Sequence, residues 1–536
     1  MLVSSNFAQT TDTIITKLFQ DSYYTIKSMR QPNGVYLDKL SISGKDTTIP
    51  GAISANGVGL ISLCIADAMF WEVKVDSLAN ATLNTFINFK NSKRTTTPNG
   101  FYRRFFNVNT CLEYKTWGSE YSTIDNAIFA AGLIFCKNYF SGNKSIVNNA
   151  NILLNAMDFT AAISLDSQNL YMVLDSNGTG SSITGAYNEY MIVAWLAKNV
   201  CQSNPGYNKS QAYWNTYYSN PKTSSIKHPV YWYYELLSDR SDSIFISNFI
   251  PQFTYYYCNY YKNNNDYMYY FNNARKADSL WWNMACYNIS RSSYEWGVGA
   301  GDIPGCDRYY ANAINNDNAD STINKNIYRI VSPHIIAGFI PVYPQGKNDL
   351  KYLFNNGTGA AVYSPKTSIK VLWRYSVKDK SKRCNYIQAV DFATMLYGLA
   401  SLPEYLGPDF FNTYNEIKEC IPVKVEIVKK NGPMDFSLKQ NFPNPFNPST
   451  TIEYRIPPSP FSEKGEQVGF VSLKVYDLLG REVAVLVDEQ KPAGTYTQQW
   501  NANGIPSGVY FYRLQVYPDA VGAGTFNQTK KLILLR

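Results

Sequence analysis

Apolar residues recur along most of this chain in two alternating helical rhythms. ANGVGLISLCIADAMFW (from Ala55), STIDNAIFAAGLIFCKNYF (from Ser122), AYNEYMIVAWLAKNV (from Ala186), ADSLWWNMACYNI (from Ala277), SPHIIAGFIPV (from Ser332) and QAVDFATMLYGLASL (from Gln388) are apolar on nearly every side of a helical wheel. Between several of them lie amphipathic stretches such as VDSLANATLNTFINFKNS (from Val75) and KSIVNNANILLNAMDF (from Lys144). A helix apolar all round is buried on both sides, whereas an amphipathic one keeps a face in water. Their alternation predicts inner and outer helices paired around a toroid, an (α/α) barrel in a mainly α fold. Long polar connections such as NNDNADSTINKNIY would lie at its rim, where loops of that length often carry function.

After Cys420 the period shortens to two. VSLKVYDLLGREVAVLV, GTYTQQWNANGIPSGVYFYRLQV and NQTKKLILLR alternate apolar and polar residues between Gly, Pro and Asn turns, which predicts a small C-terminal β-sandwich. The expected organisation is an N-terminal segment over 1–20, a helical barrel over 21–422, a linker over 423–435 and the sandwich over 436–536. The opening MLVSSNFAQTTD is too short for a whole secretory signal, but NFAQ resembles the end of one, so a signal-peptide remnant is expected there. No stretch has the roughly 18–20 apolar residues of a membrane span, so no integral membrane segment is expected.

Composition narrows the function classes. A net charge of +8 over 536 residues, without a Lys/Arg cluster, disfavours a nucleic-acid partner. The 44 Tyr, 28 Phe and 10 Trp offer flat apolar faces with polar edges, which suits carbohydrate, although any single ring is more often core or ordinary surface. Nine cysteines leave at least one unpaired, and Cys64, Cys136 and Cys286 read as small buried hydrophobes. With two histidines, His228 and His334, and no CxxC, a zinc site is not expected. The NNDNAD loop reads as solvated rather than as a calcium site, and no metal or organic cofactor is implied.

Three apolar helices begin with an acid: Asp125, Glu189 and Asp391. Glu295 and Asp302 flank WGVGAGDIPG. A helix dipole favours a carboxylate in the first turn, so each acid alone fits a capping role about as well as a functional one. Several in one register on otherwise buried helices favour function, because a buried unpaired charge is expensive. Glycoside hydrolysis requires one carboxylic acid to protonate the leaving oxygen and one carboxylate to activate water or attack. The P-loop, G-x-G-x-x-G, G-x-S-x-G and H-E-x-x-H signatures of other chemistries are missing from the sequence.

GVYLDKLSISG, ANGVGLISLCIAD, GSEYSTIDNAIF, AYNEYMIVAW, NNARKADSLWW, YEWGVGAGDIPG and YIQAVDFATMLYG, in that order from Asp21 to Tyr414, resemble the glucoamylase-like domain typified by glycoside hydrolase family 144. The resemblance implies an (α/α)6 barrel and endo-hydrolysis of β-1,2-glucan by an inverting mechanism. A transglycosylase, a hydrolase of another glucan linkage, or a surface glycan-binding protein with a silent barrel are the alternatives. It implies Glu189 as general acid and Asp391 as general base. Glu120, Asp125, Glu295 and Asp302 would bind sugar hydroxyls or tune those two. Trp117, Tyr187 and Trp296 would stack on sugar, with core packing slightly ahead for Tyr187. Arg275 would pair with a carboxylate, in the site or structurally. Two departures from the family, VGAGDIPGCDRYY after the Trp-Gly motif and Arg103–Arg104 in GFYRRFF, are expected near the substrate. FSLKQNFPNPFNPSTTIEYRIP, VYDLLGREVAVLV, SGVYFYRL and the terminal KKLILLR resemble the C-terminal sorting domain of type IX secretion cargo. That implies the type IX machinery as a partner and secretion or surface attachment in a Bacteroidetes-like bacterium. A glucan polysaccharide or oligosaccharide is the other expected partner, and the enzyme is expected to be a monomer.

Overall fold

The computed structural model describes residues 12–423 and 437–535, apart from 45, 47, 93–94, 115–116, 118–119, 223–224, 240–246, 262–263, 286–287, 315–327, 357–360, 365–367, 457–468, 493 and 519–525. Nearly all of the expected linker, the NNDNAD loop, Cys286 and the start of the N-terminal segment therefore lie outside the described residues. The chain divides into two compact units, Met1–Val425 and Glu426–Arg536.

The first unit is built from helix pairs. Its described α-helices are α1 (Thr13–Lys27), α2 (Ile53–Ala68), α3 (Val75–Asn91), α4 (Thr123–Tyr139), α5 (Lys144–Leu154), α6 (Met191–Lys198), α7 (Tyr207–Tyr217), α8 (Phe249–Tyr257), α9 (Asn265–Ala285), α10 (Pro333–Gly338), α11 (Gly346–Asn356), α12 (Ala389–Ala400) and α13 (Asp409–Tyr414). The even-numbered helices are buried almost throughout: every residue of α8 and α10, and Ile53–Ala66 of α2. The odd-numbered α3 and α5 bury only one stripe, for example Val75, Ala79, Leu83 and Phe86. α2 packs on α4, α4 on α6, α6 on α8, α8 on α10, α10 on α12 and α12 back on α2, so the inner helices close a ring.

Two glycines set a close crossing of α2 and α4. A Cβ on Gly132 of α4 would sit 2.5 Å from the Gly57 Cα of α2, and one on Gly57 would sit 2.3 Å from the Ile128 carbonyl oxygen. Only glycine allows these backbones to approach so closely. The consequence is that the first turns of α2 and α4 lie side by side.

Two expectations change. The segment ADSLWWNMACYNI contributes to the outer helix α9, and the inner helix of that pair is α8, FIPQFTYYY. A proline and three tyrosines disguise α8 as a loop, while the buried Trp281 and Trp282 make α9 look internal. Second, α6 begins at Met191, so Glu189 precedes the helix rather than riding on it.

Cys201 and Cys420 form a disulfide that closes a span of 219 residues. Cys64 and Cys136 are free and buried, as expected. Among the described residues no helix is long and apolar enough to cross a membrane.

The second unit is a sandwich of two antiparallel sheets. One orders Ser437–Leu438, Ser449–Ile456 and Gly494–Asn501; the other orders Glu482–Lys491, Gly469–Tyr476, Gly508–Pro518 and Phe526–Leu534. Ser449–Ile456 alternates strictly between half-buried and buried residues. Ile452, Tyr454, Trp500, Leu473, Val475, Leu514 and Leu532 belong to a core of its own.

Candidate active site

Direction around the ring decides where chemistry can sit. Each inner helix follows an outer one, so the outer-to-inner connections (28–52, 92–122, 155–190, 218–248, 286–332 and 357–388) gather at the end where the inner helices start. The returns to outer helices are short and fall at the opposite end. A pocket of about 490 Å³ opens at the helix-start end, lined by Asp38, Lys39, Ser54, Arg104, Phe105, Trp117, Asp125, Asp302, Tyr309, Gln388, Val390 and Asp391.

Three helix starts furnish its floor. Ser122 caps α4, accepting from the Asp125 amide at 3.3 Å while its hydroxyl donates to Asp125 Oδ2 at 2.6 Å. Ser54, in the first turn of α2, donates to Asp125 Oδ1 at 2.6 Å, a contact that the Gly57–Gly132 crossing makes possible. Arg104 Nε lies 3.5 Å from Asp125 Oδ2, and its Nη1 lies 3.1 Å from Glu120 Oε1. Asp125 is therefore both a first-turn acid held by the N-cap serine and a pocket-lining residue. Asp391 occupies the first turn of α12, only 4% exposed, and accepts from the Tyr309 hydroxyl at 3.1 Å.

The walls come from short hairpins. Lys39 pairs with Gln388 across the strands Lys39–Ser41 and Tyr386–Gln388, and the Ala389 amide donates to the Asp38 carbonyl at 2.9 Å. That ladder holds Asp38 beside the start of α12. Lys39 Nζ lies between aromatic faces, 4.9 Å from the Trp117 ring centroid and 3.9 Å from that of Tyr386. Asp302, from the strand Ala300–Ile303, is buried and is backed by Arg374. Arg374, fully buried, donates to the carbonyls of Asp302 (3.2 Å) and Gly299 (3.1 Å), to Ser332 Oγ (3.1 Å) and to Asn312 Oδ1.

Four aspartates thus share one pocket, and two of them, Asp391 and Asp38, hold protons more tightly than an ordinary aspartate. Burial pushes the Asp391 carboxyl up to about 7, against the opposing pull of Arg374 and the Tyr309 hydrogen bond; the negative charges of Asp38 and Asp302 add to the rise. Asp38 is pushed up to about 6 by burial, with Arg104 and Lys39 opposing and Asp125 and Asp302 assisting. Perturbed carboxyls clustered in a cleft make it a candidate functional site. Among the described residues no group of three or more His, Cys, Asp or Glu is placed to hold a metal ion.

Of the residues singled out in the sequence, Asp125, Asp302, Asp391 and Trp117 line this pocket. Glu120 adjoins it through Arg104, and of the two arginines expected near the substrate Arg104 lines it while Arg103 covers the Tyr121 ring. Glu189 is half-buried and outside the lining set. It precedes Tyr190, whose phenol is raised by burial and then by the charges of Glu189 and Asp125, so the segment that carries Glu189 lies within electrostatic reach of Asp125.

Four expected binders lie elsewhere. Glu295 is buried, accepting from Tyr375 Oη (2.8 Å) and the Ser292 amide (2.7 Å) and pairing with Lys380. Trp296 is buried and donates to Asp349 Oδ2 at 2.9 Å. Tyr187 packs in the core near Tyr218. Arg275 lies over the Tyr343 ring at 4.7 Å. Tyr375, Lys380, Asp349, Tyr218 and Tyr343 all lie far along the chain, so no local signal in the sequence announces these contacts. Asp38, Lys39, Ser54, Tyr309 and Gln388 went unnamed. Asp38 sits in GVYLDKLSISG, an extended stretch without the apolar helix that drew attention to the other acids.

The first unit shares its fold with glucan-cleaving enzymes of known structure. An endo-β-1,2-glucanase from Chitinophaga pinensis, in complex with sophorotriose and glucose, superposes with a TM-score of 0.62 at 13% identity, covering 79% of this chain and 98% of that one. A protein from Bacteroides caccae, provisionally named a glucoamylase, gives 0.60 at 13% identity over 78% and 98%. An endo-β-1,2-glucanase from Talaromyces funiculosus, in complex with sophorose, gives 0.55 at 14% identity over 75% and 85%. Among curated proteins none matches the chain in sequence. Residues 440–534 match the family model described as the secretion system C-terminal sorting domain. The first unit thus has the fold of these endo-β-1,2-glucanases and glucoamylase-like proteins, and the second is similar to the sorting domain of type IX secretion cargo.

Proposed function

We propose that this chain is an exported glycoside hydrolase that cleaves β-1,2-glucan internally and inverts the anomeric centre. The observation that carries the reading is the four-aspartate pocket, with Asp391 buried at a helix start and its carboxyl raised to about 7. A carboxylate with such a proton affinity is a far stronger base than an ordinary aspartate, and a base is most effective when its pKa lies near the working pH. Asp391 takes the proton from the attacking water. Glu189 protonates the departing glycosidic oxygen. Asp38 raises the basicity of Asp391 by its own charge, and Tyr309 orients the carboxylate. Asp125, Arg104, Glu120, Lys39 and Asp302 offer donors and acceptors to sugar hydroxyls, and Trp117 offers a ring. The linkage is suggested by the β-1,2-glucanases that share the fold. Export is suggested by the sorting domain and fits the Cys201–Cys420 disulfide, since such bonds persist in oxidising compartments.

Proton NMR of the first product from β-1,2-glucan tests the stereochemistry and the mode of attack together. Inversion releases the α-anomer first, and internal cleavage yields a ladder of short oligosaccharides. A β-anomer would place the second carboxylate as nucleophile, and glucose or disaccharide alone would mean attack from a chain end.

A further inference from the structure

The connection over 218–248 lies at the same end of the ring as the pocket, yet none of its described residues lines that pocket. It carries a small hairpin, Val230–Tyr231 paired with Tyr234–Glu235, whose two-residue tip is Trp232–Tyr233. Tight two-residue tips favour Gly, Asn or Asp, because their backbones need positive φ. Here Trp232 takes φ 56°, a conformation unfavourable for a bulky side chain. The outcome is exposure: Trp232 is 56% and Tyr233 80% exposed, with ring centroids 6.3 Å apart. Tryptophan is among the residues best stabilised by burial, so a strained turn that puts one in water calls for an occupant.

The hairpin is firmly mounted. Tyr231, Leu236 and Leu237 are buried beneath it, and the Leu236 amide donates to the Pro229 carbonyl at 2.9 Å. Its far end is tied to the segment ahead of α6: Asn188 Nδ2, adjacent to Glu189, donates to Asp239 Oδ2 at 2.9 Å. The aromatic tip is thus joined through its base to the strand of chain that carries the proposed acid.

We infer that Trp232 and Tyr233 form a stacking platform for a glucan chain on the Glu189 side of the cleft. This rests on the glucan-hydrolase reading above. A pocket of about 490 Å³ encloses only a few sugar rings, so a polymer must continue over the surface at this end. Pyranose rings present apolar C–H faces that lie flat on exposed aromatics while their hydroxyls stay in water. The platform grips long chains and is idle for short ones.

The test compares long β-1,2-glucan with the shortest β-1,2-linked oligosaccharide that the wild type cleaves. In the double variant Trp232→Ala/Tyr233→Ala, KM for the polymer rises roughly tenfold with kcat unchanged, and the short substrate is processed as by the wild type. Trp232→Phe, which keeps a ring, restores most of the polymer KM. Tyr233→Ala alone, at the more exposed position, gives a smaller rise and serves if the double variant does not fold. An unchanged polymer KM in a folded variant overturns the platform, as does an equal loss on both substrates. A wild type that neither binds nor cleaves β-glucan overturns the functional reading itself, and the platform with it.

Discussion

On the proposed mechanism Asp391 has to be buried, ionisable and reactive at once. Its folded pKa of about 7 exceeds the unfolded value of 3.8, so the folded state holds a proton that the unfolded state gives up. The stability linked to that proton is fully present below about pH 4 and is lost as pH rises from about 4 to about 7. The loss is of order 4 kcal/mol, at roughly 1.4 kcal/mol per pKa unit. Asp391→Asn removes a charge that opposes burial, so at pH 8 its apparent Tm is expected to rise by roughly 3 °C. Meanwhile activity falls by about 10²–10⁴-fold. With Asp391 as the proposed base, which must be ionised to act, kcat/KM of the wild type is expected to climb with pH through about 7. A profile that falls through 7 would make Asp391 the acid and exchange its role with Glu189. At this scale the sequence is readable where an acid interrupts an apolar helix, as at Asp125 and Asp391. It misleads at Glu295, where Tyr375 and Lys380 arrive from far along the chain.

At the scale of elements, the alternation of all-buried and one-faced helices is legible because each helix answers to its own layer. α2, α4, α10 and α12 announce themselves, whereas α8 does not, since its burial depends on neighbours rather than on composition. The six outer-to-inner connections were visible only as polar stretches; which of them meet is a property of the closed ring. The Cys201–Cys420 pairing is likewise illegible from an odd cysteine count. It joins the chain after α6 to the chain after α13, where the Cys201 amide donates to the Ile421 carbonyl at 3.0 Å and the Ile421 amide to the Asn199 carbonyl at 2.8 Å. A closed span of 219 residues limits the unfolded chain and is worth about 5 kcal/mol on loop entropy. Cys201→Ser/Cys420→Ser is expected to lower the apparent Tm by roughly 5 °C, followed by thermal unfolding, with activity at 25 °C retained. An unchanged Tm would show that the backbone hydrogen bonds alone secure this closure.

On the scale of the whole molecule, two units with separate cores answer two needs. The sandwich is the most legible part of the chain, because its turns and alternating strands are local and its residues 440–534 match a sorting domain. The barrel is legible as a fold but less so as a specificity, because the pocket draws its side chains from four separate connections and three helix starts. The claim on which the rest depends is that the aspartate pocket hydrolyses β-1,2-glucan. Reducing-end release by the full chain from β-1,2-glucan, with β-1,3-glucan, β-1,4-glucan and starch alongside, measures it directly, with Asp391→Asn and Glu189→Gln as paired controls. The expected result is release from the β-1,2 polymer alone, lost in both variants. Release that persists in Asp391→Asn, or no release from any polymer by a folded wild type, would contradict it.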